Sequence, residues 1–513
     1  MTSLLRLIPL TPSLLANVSA GISWLILLVL FVICYSTGWI IYNLYFHPLA
    51  SFPGPKSNAA TSLPFFRSLL GGSLPMDAQK LHEKYGDTVR IAPNEVIFTN
   101  PEAWKEIFAI RPGKPQRPKD QHYLSIGPNQ TPSILRADDQ THARHRRSLS
   151  HGFSEGSLQR QEVIVKGYVD LLIQRLHGLA EPGSATVDMA CWYNYTTFDI
   201  IGDLAFGESF GCLQNSQYHF WVSVIFSHFR TATWANFLRR VPAGDFLMKW
   251  IIPKEVREQK KQHNEMTKEK VQARIEKGDD GRPDFLSNVL KQPLEKGMTE
   301  DELVSNSYVL IIAGSETTAT LLSGVTYYIL TVPGVLDKLK AEIRGAFTSE
   351  DQITWSTVNQ LKYILAVLNE GLRMYPPIPY GLPRMVEGKG DFICGRWVPG
   401  GTSVGVAILA AHRSAANFKS PDAFIPERFM GDSEFESDNR NAVQPFSIGP
   451  RNCLGRNLAY AEMRLILARM IWNFDMELAP DSKEWIKQRS FSVWEKGSLN
   501  VKLTPALQTI GAK

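Results

Sequence analysis

A segment near the carboxyl end of the chain concentrates residue types that could hold a metal. Residues 446–455 read FSIGPRNCLG. Cys453 lies just ahead of residues 456–470, whose apolar spacing predicts an amphipathic helix. Unpaired backbone N–H groups and the dipole at the start of that helix would favour a thiolate. Gly449 and Gly455 leave room for a backbone turn and for the close approach of a flat ligand.

Two further residues of this segment extend the pattern. Arg451 could meet a carboxylate of the ligand, and Phe446 would provide an apolar wall. A thiolate, two glycines, an arginine and an aromatic ring together describe the loop that carries the proximal ligand of a haem iron. The other cysteines are widely spaced and form no C-x-x-C pair, which argues against a zinc site and against a disulfide-stapled fold.

A second polar cluster lies within a long apolar stretch. Thr299 and Glu302 match a capping box and Pro333 marks a stop, so a helix is predicted over residues 299–331. At 1.5 Å per residue it would be about 50 Å long and would cross a whole domain. Residues 314–318 read GSETT, and a carboxylate with three hydroxyls is costly in a buried helix. This stretch is interpreted as a polar notch facing a cavity, with a solvent-facing stripe as the alternative.

A charged pair marks another predicted helix. Glu370 and Arg373 are three residues apart on a helix predicted over Trp355–Tyr375, which Pro376 and Pro377 end. On spacing alone they form an ordinary surface ion pair.

The amino-terminal region predicts a membrane anchor. Residues 7–55 contain no Asp, Glu, Lys or Arg, and residues 22–42 form a 21-residue apolar run with aromatic residues near both ends. About 20 apolar residues span a bilayer, and this run is longer than the apolar region of a cleavable signal peptide. Basic residues follow the run, so the positive-inside bias favours a cytosolic body. A stiff connector rich in proline comes next.

The rest of the chain predicts one large domain. The protein has 513 residues, 44% of them hydrophobic and 20% charged, which excludes disorder. A net charge of +5 is too weak to indicate a nucleic-acid binder. The pattern is mainly α with a minor β part, including a hairpin around Pro93-Asn94. We therefore expect a tail at 1–21, a transmembrane anchor at 22–44, a Pro-rich hinge at 45–62 and a catalytic domain at 63–513.

These motifs together resemble a known family. Residues 446–455 match F-x-x-G-x-R-x-C-x-G at all five fixed positions, and the sequence resembles the cytochrome P450 superfamily of haem-thiolate monooxygenases. Residues 313–318 resemble its oxygen-activation motif. Glu370-x-x-Arg373 resembles its buried Glu–Arg pair, and residues 426–429, PERF, resemble the segment that completes that network. The resemblance covers the chain from the anchor to about residue 499, and it implies the cytochrome P450 fold.

The resemblance implies a role for each matching residue. Cys453 would be the axial ligand of the haem iron, and Thr317 and Glu316 would relay protons to oxygen. The family often has Trp-x-x-x-Arg ahead of a helix that contacts a haem propionate, and here His142 replaces the Trp. The other residues expected around the haem are Arg146, Ala313, Arg384, Phe446, Gly449, Arg451 and Gly455. The residues expected to form a structural ion-pair network are Glu370, Arg373 and Arg428.

The resemblance also implies the reaction and its partners. The enzyme would bind haem b, take electrons from NADPH through NADPH-cytochrome P450 reductase, with cytochrome b5 as a further donor, and hydroxylate or epoxidise a mid-sized apolar molecule. The anchor and hinge resemble microsomal members, which face the cytosol from the endoplasmic reticulum membrane. The residues that make up these motifs resemble those of filamentous-fungal members that act on polyketide or terpenoid metabolites. The segments expected to choose the substrate are 121–132, 226–237, 378–382 and 491–494, together with Ala313.

Two alternatives remain at this point. An enzyme of the same fold could rearrange, dehydrate or close a ring without external oxygen, although the presence of Thr317 argues against that branch. A membrane-anchored haem sensor or electron carrier is a more remote alternative, which the acid–alcohol notch disfavours. NADPH consumption coupled to substrate would separate a monooxygenase from both.

Overall fold

The computed structural model describes residues 12–124, 131–181, 183–217, 220–241, 244–251, 253–278, 281–291 and 297–506. Twenty α-helices lie in these ranges: α1 Pro12–Ile41, α2 Lys56–Ala60, α3 Leu63–Gly71, α4 Leu74–Tyr85, α5 Glu102–Phe108, α6 Gln121–Leu124, α7 Asp139–Ser150, α8 Glu155–Ala180, α9 Met189–Phe206, α10 Cys212–Asn215, α11 Phe220–Arg239, α12 Gly244–Ile251, α13 Lys254–Glu276, α14 Ser287–Leu290, α15 Glu300–Thr331, α16 Val335–Ala346, α17 Trp355–Val358, α18 Lys362–Met374, α19 Ile408–His412 and α20 Arg456–Asn473.

The strands form a small part of the described chain, as predicted. They are β1 Thr88–Ala92, β2 Glu95–Phe98, β3 Ala185–Asp188, β4 Arg384–Met385, β5 Gly390–Ile393, β6 Arg396–Pro399, β7 Ser403–Val406, β8 Phe474–Leu478, β9 Ser490–Phe491, β10 Val493–Trp494 and β11 Asn500–Pro505. One sheet has the order β1-β2-β7-β4, with β2 and β7 parallel and the other pairs antiparallel. A second sheet has the order β3-β11-β8, and β5-β6 and β9-β10 are separate hairpins.

Helix α15 runs through the main hydrophobic core beside α9. The Thr197 hydroxyl donates to the Ser315 carbonyl oxygen over 3.0 Å, and a Cβ at Gly314 would collide with the side chain of Ile201. The predicted capping box is present, because Glu302 N donates to Thr299 Oγ1 and Thr299 N donates to Glu302 Oε2. The long central helix is therefore confirmed, with glycine allowing α9 to approach the polar notch closely.

Two sequence predictions of helices need correction. The helix predicted over Trp355–Tyr375 is two helices, α17 and α18. Thr354 and Thr357 form a capping box that begins α17, which ends after one turn at Val358, and the Glu342 carboxylate accepts from the N–H groups that begin α18. Helix α20 is amphipathic only in its first half, because every residue from 465 to 473 is buried.

The amino-terminal helix leaves its apolar side chains exposed. Every side chain from Ser23 to Trp39 is exposed, and Ser23–Phe46 is a candidate membrane span of 24 residues with mean hydropathy 2.3. Helix α15 is also long and apolar enough to span a bilayer, but 67% of its apolar window is buried in the protein core. An apolar helix whose side chains are exposed from Ser23 to Trp39 fits membrane anchoring.

The connector after the anchor is attached to the body of the protein. Residues 42–46 form a π-helical turn in which Asn43 is fully buried. Asn43 Nδ2 donates to the Ala60 carbonyl oxygen over 3.0 Å, and the Asn43 carbonyl oxygen accepts from Arg90 Nη1 over 2.9 Å. These bonds join the end of the anchor to helix α2 and to strand β1.

Candidate active site

The loop before α20 places Cys453 at the wall of an internal cavity. Cys453 N donates to the Phe446 carbonyl oxygen over 2.9 Å, which closes the loop. Gly449 has φ +77°, and a Cβ there would collide with the carbonyl oxygen of Phe108, so the turn requires glycine. At Gly455 the nearest atom to a built Cβ is Phe153 Cε1 at 3.7 Å, so the protein itself does not require glycine there. Gly455 lines the cavity without a side chain, which suits the approach of a flat ligand.

The electrostatics of Cys453 differ from the sequence prediction. Burial raises the pKa of the Cys453 thiol, and the backbone N–H of Gly455 with the charges of Arg146 and Arg456 oppose this effect only in part. The start of a helix alone therefore does not produce a thiolate here, because desolvation outweighs it. The sulfur still faces the cavity, and coordination to a metal ion would deprotonate it.

The cavity in front of Cys453 has a volume of about 250 Å³ and lies between the cysteine loop and α15. Most of the predicted site residues line it: His142, Arg146, Ala313, Thr317, Arg384, Phe446, Arg451, Cys453 and Gly455. Gly449 is outside its wall and packs on Phe108 instead. Glu316 lines the adjoining, larger cavity.

One edge of this cavity is strongly basic. Arg451 Nη2 donates to the Ala137 carbonyl oxygen and to Asp139 Oδ1, whereas the buried Nη1 atoms of Arg451 and Arg384 have no hydrogen-bond partner in the described part of the chain. Burial lowers the pKa of Arg384 to about 10. Unpaired guanidinium nitrogens at one edge fit a ligand with carboxylates, such as the propionates of a haem.

The same edge contains a lysine that sequence reasoning missed. Lys119 pairs with Arg384 across an isolated β-bridge and donates to the carbonyl oxygen of Leu135. Burial first, and then the charges of Arg451 and Arg384, lower the pKa of Lys119 to about 6. Burial first, and then the charges of Arg451, Lys119 and Arg146, lower the pKa of His142 to about 3, so this imidazole is neutral. No local motif marks Lys119, and only the fold brings it to the site.

Arg146 braces the cysteine loop. Its Nη1 donates to the Asn452 carbonyl oxygen over 2.8 Å, and its Nη2 donates to Asn452 Oδ1 over 2.5 Å. The guanidinium thus fixes the peptide next to Cys453 while its side chain also lines the cavity.

The polar notch of α15 opens onto both cavities through Ala313 and Thr317. Thr317 Oγ1 donates to the Ala313 carbonyl oxygen over 2.6 Å. Glu316 is buried in an ion pair with Lys496, a residue that follows strand β10, and Thr320 Oγ1 donates to the same carboxylate over 3.1 Å. Lys496 also donates to Thr320 Oγ1 over 2.6 Å. Sequence reasoning predicted the acid but not this lysine.

A second buried acid was also missed. Glu462 on α20 lines the smaller cavity, and its carboxyl is hydrogen-bonded to the Thr318 side chain. Burial raises the pKa of Glu462 to about 8, so the group is mostly protonated at neutral pH. It therefore joins α20 to the notch of α15 as a neutral acid.

The predicted ion-pair network is present and larger than expected. Arg373 Nε donates to Glu370 Oε2 over 2.7 Å, and Arg428 Nε donates to Glu370 Oε1 over 3.1 Å, with all three side chains fully buried. Arg428 also pairs with the buried carboxylate of Asp438, which sequence reasoning missed. The network joins α18 to the segment that leads toward the cysteine loop.

The larger cavity has a volume of about 670 Å³ and touches α15 at the notch. All the segments expected to choose the substrate contribute to its wall, although residues 125–130 lie outside the described part of the chain. The predicted segments contribute Tyr123, Thr131, Phe229, Ala232, Thr233, Asn236, Ile378, Tyr380, Gly381, Leu382, Ser492 and Val493. Wall residues that were not predicted include Leu69, Leu74, Arg136, Lys268 and Tyr308.

Comparison with known proteins places the chain in a family. The family model for cytochrome P450 matches residues 55–503. The chain is 47% identical to the cytochrome P450 monooxygenase astA of Talaromyces wortmannii, over 91% of this chain and 94% of the relative. It is 44% identical to the cytochrome P450 monooxygenase atr2 of Stereocaulon alpinum, over 96% of both chains. It is 42% identical to an averantin hydroxylase of Dothistroma septosporum, over 96% of this chain and 92% of the relative. This chain, with its thiol loop, polar central helix and apolar amino-terminal helix, belongs to the cytochrome P450 family and is a monooxygenase.

Proposed function

We propose that this monooxygenase hydroxylates or epoxidises a mid-sized small molecule, a polyketide or terpenoid intermediate of secondary metabolism. The observation that carries the proposal is the shared wall of the two cavities. Thr317 lines both, so a molecule held in the 670 Å³ cavity meets the hydroxyl that also faces the Cys453 cavity. The names of the fungal relatives support secondary metabolism, since one of them is an averantin hydroxylase.

Haem b fits the smaller cavity on three observations. The Cys453 sulfur is accessible from the cavity, Gly455 lines the cavity without a side chain, and Arg384 and Arg451 each have a buried nitrogen with no partner among the described residues. Cys453 would hold the iron, and the two arginines with Lys119 would hold the carboxylates. When bound, the haem supplies oxygen activation with electrons that come from NADPH through NADPH-cytochrome P450 reductase, with cytochrome b5 as a further donor.

The side chains of α15 would supply protons and exclude water. Thr317 Oγ1 donates to the Ala313 carbonyl oxygen. By exchanging this hydrogen bond, the hydroxyl would direct its proton to the boundary of the two cavities. Glu316 would feed that relay, and its carboxylate must first leave the ammonium of Lys496. The buried network of Glu370, Arg373 and Arg428 would keep the cysteine loop in place.

The proposed location is the endoplasmic reticulum membrane, with the catalytic domain facing the cytosol. We propose residues 22–44 as the single-pass anchor after a tail at 1–21, residues 45–62 as the hinge and residues 63–513 as the catalytic domain. The exposed apolar helix supports the anchor, and the bonds of Asn43 support a hinge that holds a fixed angle to the body.

The test of the proposed function combines spectroscopy with turnover. The reduced CO complex of the wild type should show the strongly red-shifted Soret band of a thiolate ligand, and Cys453→Ser should abolish it. A Cys453→Ser variant that kept this band would show that Cys453 is not the ligand. Deletion of the gene should make an intermediate accumulate, and mass spectrometry should show wild-type enzyme adding one oxygen atom to it with NADPH and reductase. Conversion without NADPH would indicate a rearranging enzyme, and no conversion would indicate a sensor or electron carrier.

A further inference from the structure

The wall of the 670 Å³ cavity contains a cation for which the described residues provide no counter-ion. Arg136 lies just before α7, is half-buried, and lines this cavity. Among the described residues, no carboxylate forms an ion pair or hydrogen bond with its guanidinium. Burial lowers the pKa of Arg136, and the phenol of Tyr308 acts on its charge in the opposite direction. The cavity therefore offers a desolvated positive charge to whatever it binds.

Two other arginines of this protein that are shielded from solvent each form an ion pair with a carboxylate. Arg240 lies behind the same cavity wall and pairs with Glu95 over 3.0 Å. Arg274 is fully buried and pairs with Asp284 over 2.6 Å. A buried charge is expensive unless it is paired, and this fold pairs these two within the chain. Arg136 has no such partner among the residues that the structure describes.

The other charged residues that line the cavity do not form an ion pair with Arg136. Glu316 is held by Lys496 at the deep end. Glu265, Lys268 and Asp301 are exposed to solvent and mark the open end. Arg136 thus differs from both groups of charged residues in the cavity wall. Unlike Glu316, it forms no ion pair with a described residue, and unlike Glu265, Lys268 and Asp301, it is only partly exposed.

We propose that Arg136 binds a carboxylate of the substrate, so that this enzyme oxidises an organic acid with an apolar body. The inference rests on the proposed monooxygenase function and names its substrate class. The planar guanidinium can bind a carboxylate with two parallel hydrogen bonds, which gives both affinity and orientation. Burial raises the pKa of Tyr308 to about 12, so its hydroxyl stays protonated at neutral pH and can donate to the same carboxylate.

The spacing of residues along α15 gives the distance between the carboxylate of the substrate and the carbon that is oxidised. Tyr308 lies five residues before Ala313 and nine before Thr317 on α15. At 1.5 Å per residue, these separations are about 7.5 Å and about 13.5 Å along the helix. A carboxylate held near Tyr308 and a carbon held between Ala313 and Thr317 are therefore roughly 8–13 Å apart. The wall between them contains Ile312 and Leu382, which suit a rigid apolar body.

The experiment compares an acid with its neutral ester. Full-length, haem-loaded protein in detergent is dialysed to equilibrium against anthracene-2-carboxylic acid or its methyl ester. We expect the wild type to bind the acid at least tenfold more tightly than the ester. Arg136→Gln should weaken binding of the acid at least tenfold and leave binding of the ester within twofold, and Arg136→Lys should recover part of the preference. The matched control is Lys268→Gln at the open end of the cavity, which should keep the preference for the acid.

The outcomes separate this inference from the proposed function. The red-shifted CO band of each preparation reports on the haem-thiolate site and shows that each variant is folded. An intact band with equal binding of acid and ester overturns the carboxylate proposal and leaves the monooxygenase function standing. A wild type that binds neither compound also counts against it, as does an Arg136→Gln variant that still prefers the acid. Loss of the band in the wild type would instead overturn the proposed function.

Discussion

The acid and the alcohol of α15 that we propose as the proton relay, Glu316 and Thr317, are held in different ways. The Glu316 carboxylate is buried against the ammonium of Lys496 and the hydroxyl of Thr320, whereas Thr317 donates only to a backbone carbonyl oxygen at the cavity wall. Thr317 can therefore reorient toward a ligand by exchanging one hydrogen bond. Glu316 must break a buried ion pair, and Lys496 thus becomes part of any proton relay that starts at this acid.

Thr317→Ala should uncouple electron use from product formation. The variant loses one hydroxyl and no packing group, so it should still bind haem, substrate and CO. If Thr317 Oγ1 delivers the proton, product per NADPH should fall roughly tenfold or more and peroxide should be released, since positioned proton transfer contributes about 10²–10⁴-fold. An iodosylbenzene shunt should restore part of the turnover. The matched control is Ser315→Ala, whose hydroxyl is buried and donates to the Ile311 carbonyl oxygen. If product per NADPH were unchanged in Thr317→Ala, Thr317 would not be part of the proton relay.

Lys496→Met should destabilise the protein because it leaves the Glu316 carboxylate buried without its ammonium partner. Removing one partner of a buried ion pair costs about 3–5 kcal/mol because the other charge stays desolvated. Adding Glu316→Gln to this variant should recover part of the loss. The measurement is the urea concentration at which half of the CO band is lost. Lys487→Met, which removes an exposed lysine that pairs with Glu484, should leave that concentration nearly unchanged. A Lys496→Met variant as stable as the wild type would show that the pair is not maintained in solution.

The residues that sequence reasoning found and missed differ in how they reach the site. Cys453, Thr317 and Glu370 belong to short motifs with fixed spacing, so their positions could be predicted. Lys119 and Lys496 arrive from distant segments and carry no local pattern. Their neighbours are apparent only once the chain is folded, because a long-range contact has no signature in the sequence near either residue.

At the scale of elements, α15 is fixed at its first turn by a carboxylate with several partners. Arg144 on α7 donates to both oxygens of Glu302, with Nη1 to Oε2 over 2.9 Å and Nη2 to Oε1 over 2.5 Å. The same carboxylate accepts from Thr299 N and lies 3.1 Å from His145 Nε2. The capping box could be predicted from sequence, whereas the link to α7 could not, since it depends on how the two helices pack.

This first turn should contribute stability that depends on pH. The hydrogen bonds of Arg144, ahead of the other neighbours, lower the pKa of Glu302 from 4.5 to about 2. A carboxyl with a lowered pKa stabilises the fold above the pKa of the unfolded chain, and this stability is lost as the pH falls from 4.5 toward 2. Glu302→Gln should therefore cost about 1–3 kcal/mol at pH 7. The difference from wild type should shrink between pH 4.5 and 3.

The measurement for Glu302 is the urea midpoint of wild type and variant across this pH range. Asp301→Asn serves as the control, because Asp301 is exposed in the same helical turn. It should lower the midpoint far less than Glu302→Gln at every pH. A wild-type to variant difference that stays constant from pH 7 to 3 would contradict the role assigned to the ionised carboxylate.

Helix ends limit what the sequence predicts about elements. The start of α15 was predicted because its cap is local, but the break between α17 and α18 was not. That break depends on Glu342 of α16, whose oxygens accept from Tyr363 N over 2.7 Å and Ile364 N over 2.9 Å. The apolar pattern over residues 355–375 continues through the break, so periodicity alone could not locate it.

At the scale of the whole molecule, the anchor and the body share a buried joint. Arg90 on β1 donates to the carbonyl oxygens of Asn43 and Pro93, and burial lowers its pKa to about 10. The apolar run and the prolines could be predicted from sequence, but this joint could not, because Asn43 and Arg90 are 47 residues apart. The joint makes the anchor's end part of the folded body rather than a free tether.

Removal of the anchor should turn integral membrane association into peripheral binding. Deletion of residues 1–39 removes most of the exposed apolar helix and keeps Asn43, whereas deletion of residues 1–44 also removes the acceptor of Arg90. Both proteins should be extracted by alkaline carbonate, unlike the full chain. The longer deletion should also be less stable, because an unsatisfied buried donor costs about 1–3 kcal/mol.

The residual binding of the shorter deletion should depend on exposed apolar side chains of the body. Phe246 and Trp250 on α12 are 64% and 78% exposed, and such side chains can enter the interfacial region of a bilayer. Trp250→Ser in the 1–39 deletion should therefore reduce cosedimentation with phospholipid vesicles. Val163→Ser is the control, since Val163 is 78% exposed on a different helix, α8. A truncated protein that still resisted carbonate extraction would contradict the assignment of residues 23–46 as the anchor. In the described ranges, the only other apolar helix of that length is α15, which lies in the core.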